Sequence, residues 1–103
     1  MRFLITAKSK HMVPPDMMLG LFDAMMAWAK KYQANKKFDM IWATAGVPGG
    51  GAVANVNSLE ELNQIMAEFP MGPASEIKIK PIMDIQPALE AGKKAFLAMM
   101  PPK

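Results

Sequence analysis

The sequence predicts an α+β domain in which helices cover one face of an antiparallel sheet. Four short segments are apolar and rich in β-branched residues, and they are typical of strands. Longer segments between them repeat apolar residues at three- and four-residue spacing, as amphipathic helices do. The chain has 103 residues, which is the size of one domain.

The first part of the chain predicts a strand, a helix and a second strand. Residues 2–8 are apolar on both sides, so we expect a central strand that is covered on both faces. Residues 15–35 have a helical pattern with proline at the entrance and lysines near the end. Residues 37–45 alternate as a strand. One side of this strand is predicted to carry Phe38, Met40, Trp42 and Thr44.

The middle of the chain predicts a hairpin and a capped helix. Residues 46–51 are rich in glycine and are expected to form a turn into a third strand at residues 52–56. Asn57 or Ser58 is the expected N-cap of a second helix, since both side chains can accept a hydrogen bond from free backbone N–H groups.

The last part of the chain predicts an edge strand and a third helix. Residues 76–82 alternate cleanly and include a proline, which fits an edge strand. Residues 87–100 have the pattern of a helix. The resulting β-α-β-β-α-β order is the ferredoxin-like arrangement. We expect a single domain over residues 1–103, with a core at 1–84 and a C-terminal helix and tail at 85–103.

Composition restricts the classes of function. Apolar residues make up 51% of the chain and charged residues 20%, which excludes disorder and exceeds what one small domain can bury. We therefore expect a homodimer or a higher homo-oligomer, in which the uncovered apolar faces of two sheets meet. No apolar stretch is long enough for a membrane helix and no secretion leader is evident, so the sequence favours the cytoplasm and no membrane partner.

Several kinds of site are also disfavoured. One histidine and no cysteine give no set of metal ligands, and we expect neither a metal nor another cofactor. The net charge of +3 is mild, and the predicted third strand lacks the aromatic residues of RNA-binding sheets, so nucleic acid is not an expected partner. The twelve methionines fit either an adaptable apolar pocket or ordinary core filling.

Three stretches, in order, resemble the muconolactone isomerase family. They are residues 41–46 (IWATAG), residues 53–62 (VANVNSLEEL), and residues 69–73 (FPMGP) followed by 76–79 (EIKI). The resemblance covers roughly residues 1–84. It implies a dimeric α+β barrel and cofactor-independent proton transfer on small unsaturated lactones or related molecules. Ala43 stands where the family usually has arginine, a natural partner for a substrate carboxylate, which implies a different substrate.

Two residues near the end of the first strand, one in the strand and one in the loop after it, are candidates for catalysis. His11 is the only histidine, and imidazole exchanges protons near neutral pH. Lys8, at the end of the strand, is the candidate for stabilising negative charge on the substrate. The alternative is that both side chains are simply solvated.

Aromatic and methionine side chains are the candidates for substrate binding. Flat aromatic walls hold planar organic ligands, and methionines adapt to their shape. The predicted wall comprises Trp28, Tyr32, Trp42, Met25, Phe69 and Met71. The alternative is an ordinary core, in which helically spaced aromatic residues are more often found.

Together these features predict a cofactor-independent isomerase or cyclase that acts by proton transfer on a small cyclic or unsaturated compound, in aromatic catabolism or secondary metabolism. The alternative is a non-catalytic protein that binds a small hydrophobic ligand in a catabolic or biosynthetic pathway.

Overall fold

The structure is a computed structural model that describes residues 1–101. The last two residues of the predicted tail lie outside the described residues. Four strands are present: β1 (Arg2–Ser9), β2 (Phe38–Ala43), β3 (Gly49–Asn55) and β4 (Ser75–Ile82). Three α-helices accompany them: α1 (Pro15–Ala34), α2 (Leu59–Ala67) and α3 (Ile85–Met99). A short 3-10 turn at Gly72–Ala74 leads into β4.

The strands form one antiparallel sheet in the order β2-β3-β1-β4. On the central strand β1, Ile5 lies opposite Ala52 of β3 and Ile79 of β4. The predicted α+β class and the order of the elements are confirmed. The central position of β1 and the edge position of β4 are also as predicted.

The core lies between α1, α2 and one face of the sheet, which we call the inner face. Phe3 and Ile5 of β1 are buried there, because their side chains point to the same side of the strand. The other members of the core cluster are Tyr32, Phe38, Ala52, Ala54, Val56, Leu62 and Ile65.

The opposite face of the sheet, which we call the outer face, is not covered by any part of residues 1–101. Thr6 and Lys8 of β1 are exposed on it. The prediction that β1 is covered on both faces is therefore wrong within one chain. The outer face is nevertheless partly apolar, with Leu4, Met40, Trp42, Val53 and Ile82.

A bulge in β2 changes which side chains share a face. Phe38 lies opposite Ala54 and Met40 lies opposite the adjacent residue Val53, so Asp39 is an extra residue in the strand. The bulge leaves Phe38 buried in the core, whereas Met40 is 61% exposed on the outer face. The predicted common side of Phe38 and Met40 is thus wrong, because strict alternation does not continue through a bulge.

Three of the four glycines predicted to form a turn are part of β3. This strand begins at Gly49, and Gly50 and Gly51 pair with β1 and β2. A Cβ atom on Gly50 would collide with the Trp42 carbonyl oxygen, and one on Gly51 would collide with the Trp42 indole. Glycine is required at both positions because β2 comes too close for a side chain.

Helix α3 has no extensive packing contact with any other helix or strand of residues 1–101. Apart from half-buried Ala88, all of its residues are exposed. The radius of gyration is 18.1 Å, compared with about 13 Å for a compact domain of this size. The helix starts at Ile85, two residues before the predicted start, because Pro87 lies in the first turn, where its missing N–H costs no hydrogen bond. An ion pair between Arg2 and Asp84 holds its base beside β1.

Candidate functional site

An apolar trough of about 1160 Å³ lies on the inner face. Its floor is formed by the ends of β1, β2 and β3, including Ala7, Ala43 and Gly50. One wall is α1, and the other is the segment from Met66 to Met71 at the end of α2. The loop after β1 forms the mouth.

The walls of the trough consist mainly of sulfur and aromatic groups. Six methionines line it: Met12, Met18, Met25, Met26, Met66 and Met71. Trp28 of α1 packs against Phe69, which follows α2, with ring centroids 4.8 Å apart. The Trp28 indole N–H donates to the Ile65 carbonyl oxygen at 3.0 Å, which fixes the ring in the wall. Four of the residues predicted to bind the substrate, Met25, Trp28, Phe69 and Met71, therefore lie together.

His11 lies at the mouth of the trough, next to Lys10. The backbone N–H groups of Lys10 and His11 both donate to the Ala74 carbonyl oxygen, at 2.8 and 3.2 Å. These two bonds tie the loop after β1 to the 3-10 turn. The His11 side chain remains exposed, so it can meet both solvent and a molecule in the trough.

Lys8 does not share a face with the trough. It points to the outer face because strand residues alternate, and Ala7 and Ser9 line the trough instead. Lys8 lines a smaller hollow of about 260 Å³ on the outer face, together with Thr6, Thr44, Glu76 and Lys78. The structure therefore separates Lys8 from His11, and Lys10 is the lysine that lies beside the histidine.

Trp42 borders both cavities. Its indole lies over Gly51, whose pairing partner in β1 is the outer-face residue Thr6. The aromatic surface of Trp42 is thus on the outer face, while its strand contributes to the floor of the trough. The side chain is 40% exposed, so it remains available for a contact with another molecule.

Tyr32 belongs to the core and not to the wall of the trough. It is 5% exposed, and its hydroxyl donates to the Glu68 carboxylate at 2.6 Å. Lys31 and Gln64 donate to the same carboxylate at 2.8 and 3.0 Å. The hydrogen bond from Lys31, followed by those from Tyr32 and Gln64, lowers the pKa of Glu68 to about 2. Burial raises the pKa of Tyr32.

Sequence reasoning missed several residues of the trough. Met18, Phe22 and Met26 of α1 lie on the same helical face as Met25, and their three- and four-residue spacing was the signal that could have identified them. Ser9 and Ser75 bring hydroxyl groups to the mouth from β1 and β4. Their proximity depends on strand pairing, which no local pattern indicates.

Other kinds of site find no support in the part of the chain that the structure describes. Residues 1–101 contain no group of three or more histidine, cysteine or acidic side chains that could hold a metal ion. Among the same residues, no helix has the length and hydropathy to cross a membrane.

The trough and its sheet can be compared with known proteins. The family model for muconolactone delta-isomerase matches residues 1–86. The chain belongs to this family. The resemblance inferred from the three sequence stretches is thereby confirmed. A comparison with curated proteins finds no significant match.

Two solved structures share the fold. The crystal structure of a muconolactone isomerase is similar with a TM-score of 0.76 and 22% identity, over 84% of this chain and 92% of the other. The 5-chloro-2-hydroxyhydroquinone dehydrochlorinase of Burkholderia phenoliruptrix, in complex with 2,5-dihydroxybenzoquinone, has a TM-score of 0.63 and 16% identity, over 81% and 94% of the two chains. Both likenesses support the α+β fold.

Proposed function

We propose that this protein is a cofactor-independent isomerase or cyclase that moves a proton within a small cyclic or unsaturated compound bound in the trough. One observation carries the proposal: the only histidine of the chain lies at the mouth of an apolar cavity in a member of this family. The two similar structures are enzymes named for reactions of small ring compounds, which is consistent with this assignment.

His11 is the proton carrier in this proposal. Its imidazole takes a proton from a carbon next to a carbonyl group, and the electron pair moves into an enolate. The imidazolium then returns the proton to another carbon of the conjugated system, so the double bond shifts and no atom or electron is lost. Lys10 stabilises the enolate oxygen. We assign this role to Lys10 instead of Lys8 because Lys8 faces the other side of the sheet.

The apolar walls contribute to the same chemistry. Lys10 and His11 are exposed at the mouth, so water is excluded only from the side of the guest that faces the methionine and aromatic walls. Electrostatic attraction is less screened on that side than in bulk solvent. The walls also keep water away from the reactive intermediate.

Proton exchange in heavy water tests this function. Unsaturated lactones are incubated with the protein in D2O, and NMR follows deuterium incorporation and movement of the double bond. His11→Ala and His11→Gln should lower the rate about 100-fold or more, because neither side chain can carry the proton. Added imidazole should restore part of the rate of His11→Ala. Lys94→Ala, on distant α3, is the matched control, and an unchanged rate in His11→Ala would remove the assignment.

A second candidate function is ligand binding without conversion. The favouring observation is that Lys10 and His11 are the only ionisable side chains that line the trough among residues 1–101. Such a protein would capture or deliver a hydrophobic intermediate. Binding of the lactones or of larger apolar compounds, with no deuterium incorporation at any pH between 5 and 9, would favour this function over the isomerase.

We also propose that the functional unit is a homodimer. Two surfaces that carry exposed apolar side chains lack a partner among residues 1–101: the outer face, with Trp42 and Met40, and helix α3. The apolar stripe of α3 contains Ile85, Leu89 and Phe96 at helical spacing, each more than 60% exposed. A free 15-residue helix is marginal in water, so the stripe needs a covering surface. A second copy offers the outer face, and a twofold axis makes both contacts equivalent.

A further inference from the structure

We propose that the trough selects neutral, flat compounds with more than one ring, and that it rejects carboxylates inside its walls. This inference rests on the proposed function only for the choice of site. It concerns the substrate class, and three features of the described residues carry it: the size of the cavity, the distribution of charge around it and the chemistry of its walls.

Size is the first feature. The trough measures about 1160 Å³, whereas small-molecule sites usually measure about 300–1,000 Å³. A lactone with a single ring would touch one wall and leave water on the others. A compound with several fused rings has the area to contact the floor at Ala43, the α1 wall at Met25 and the opposite wall at Phe69. Each additional buried ring surface strengthens binding.

Charge is the second feature. Among the described residues, those that line the trough include no aspartate, glutamate or arginine. Lys10 and His11 are the lining groups that can carry charge, and both belong to the loop at the mouth. A carboxylate deeper in the trough would lose its hydration without gaining a partner. A carbonyl or hydroxyl group at one end of the guest can instead meet His11, Ser9 or Ser75 at the mouth.

Wall chemistry is the third feature. Trp28 and Phe69 line the trough as a packed pair, with ring centroids 4.8 Å apart and planes inclined by 39°. A planar guest can pack against the part of this pair that borders the trough. The methionines of both walls are unbranched and polarizable, so they can follow the edges of a flat guest. The described walls have no stiff polar side chains that would restrict the trough to a guest of one shape.

The test compares the affinities of three probes. Tryptophan fluorescence quenching measures binding of anthraquinone and of anthraquinone-2-carboxylate, and displacement of anthraquinone measures binding of the single-ring compound α-angelica lactone. Anthraquinone should bind at least about tenfold more tightly than either of the others, because more apolar surface is buried and no charge is desolvated. Equal or tighter binding of the carboxylate, or equal binding of the single ring, would overturn the proposal.

A variant makes the charge argument specific. Ala43 lines the floor of the trough and its side chain is exposed, so Ala43→Arg places a cation inside without disturbing the core. This variant should bind anthraquinone-2-carboxylate at least about tenfold more tightly than the parent protein does. Ala45→Arg, which adds the same charge outside the lining, should change nothing. Equal gains in both variants would mean that general charge attraction explains the effect, and this would overturn the proposal.

The outcomes for the substrate class and for the isomerase can be told apart. Preferential binding of anthraquinone without proton exchange on any ketone or lactone would overturn the isomerase and leave the substrate class standing. Rapid proton exchange on single-ring lactones, with no preference for anthraquinone, would overturn the substrate class and leave the isomerase standing.

Discussion

Glu68 joins the two packed helices through its carboxylate. Lys31 and Tyr32 of α1 and Gln64 of α2 all donate hydrogen bonds to it. Glu68 directly follows α2 and precedes Phe69 in the sequence. The bonds to its carboxylate therefore also hold one wall of the trough in place. The partners of Glu68 on α1 are more than thirty residues away in the sequence, so no local sequence pattern indicates these bonds.

The charge on Glu68 predicts a specific loss of stability in acid. The pKa of the folded state is about 2 and the ordinary value is 4.5, so the stabilisation is complete above about pH 4.5 and is lost as the pH falls toward 2. Glu68→Gln should lower the free energy of unfolding at pH 6 and should flatten its decrease in acid. Urea unfolding at several pH values measures both effects.

The control for this prediction is Glu90→Gln. Glu90 lies on exposed α3, where the structure shows no hydrogen bond or ion pair to its carboxylate. Its substitution should leave the pH profile unchanged. If Glu68→Gln loses as much stability between pH 6 and pH 2 as the parent protein does, the proposed role of the Glu68 carboxylate is contradicted.

Two glycines in different elements predict opposite effects of the same substitution. Gly20 lies within α1 and has no atom within 4 Å of the position of a Cβ. Gly20→Ala should therefore stabilise the protein by about 0.5–1 kcal/mol, since alanine loses less conformational entropy in a helix. Thermal unfolding followed by circular dichroism measures the change. A lower melting temperature would contradict the prediction.

At Gly50 of β3, substitution by alanine should destabilise the protein. A Cβ there would collide with the Trp42 carbonyl oxygen of the neighbouring strand, and backbone cannot move aside as a side chain can. Gly50→Ala should separate β2 from β3 and lower the melting temperature, with a cost of about 1–3 kcal/mol. A fully stable Gly50→Ala variant would show that the two strands are farther apart than described.

The elements could be predicted from the sequence more completely than the faces of the strands. The order of the elements follows from local spacing, and Ser58 does accept the capping bond from the Glu61 N–H at 3.1 Å. The bulge at Asp39 could not be anticipated, because one inserted residue leaves the pattern of the strand intact on either side. The wall residues Trp28, Met25 and Phe69 could be predicted from spacing and resemblance. The separation of Lys8 from His11 could not be predicted, because it depends on which face of the sheet the loop after β1 turns towards.

The whole molecule is elongated because α3 extends away from the sheet. Its principal extents are 70 × 28 × 23 Å. At about 1.5 Å per residue, α3 is about 22 Å long, which is close to the length of an eight-residue strand. The helix is therefore long enough to lie along most of a strand on the outer face of another copy, where Met40 and Trp42 can meet its apolar stripe beside the exposed lysines of β1 and β4.

The dimer predicts that one charge on the α3 stripe changes the oligomeric state. Leu89→Glu places a carboxylate in the contact, and desolvation of that charge should convert a dimer into a monomer at micromolar concentration. Sedimentation velocity measures the change from twice the chain mass to 11.3 kDa. Ala91→Glu, which adds the same charge on the opposite side of the helix, is the matched control. A parent protein that sediments as a monomer would contradict the dimer itself.

The strip of bare backbone at Gly50 and Gly51 has a consequence for how the two sides of the sheet communicate. The trough floor and the Trp42 indole are separated there by a single layer of peptide groups. A molecule bound in the trough would contact the same peptide groups that the Trp42 indole contacts from the outer face. Binding would therefore change the surroundings of the indole without movement of a helix or loop. The fluorescence emission of Trp42 would then report whether the trough is occupied, although the indole lies on the surface where we place the second subunit.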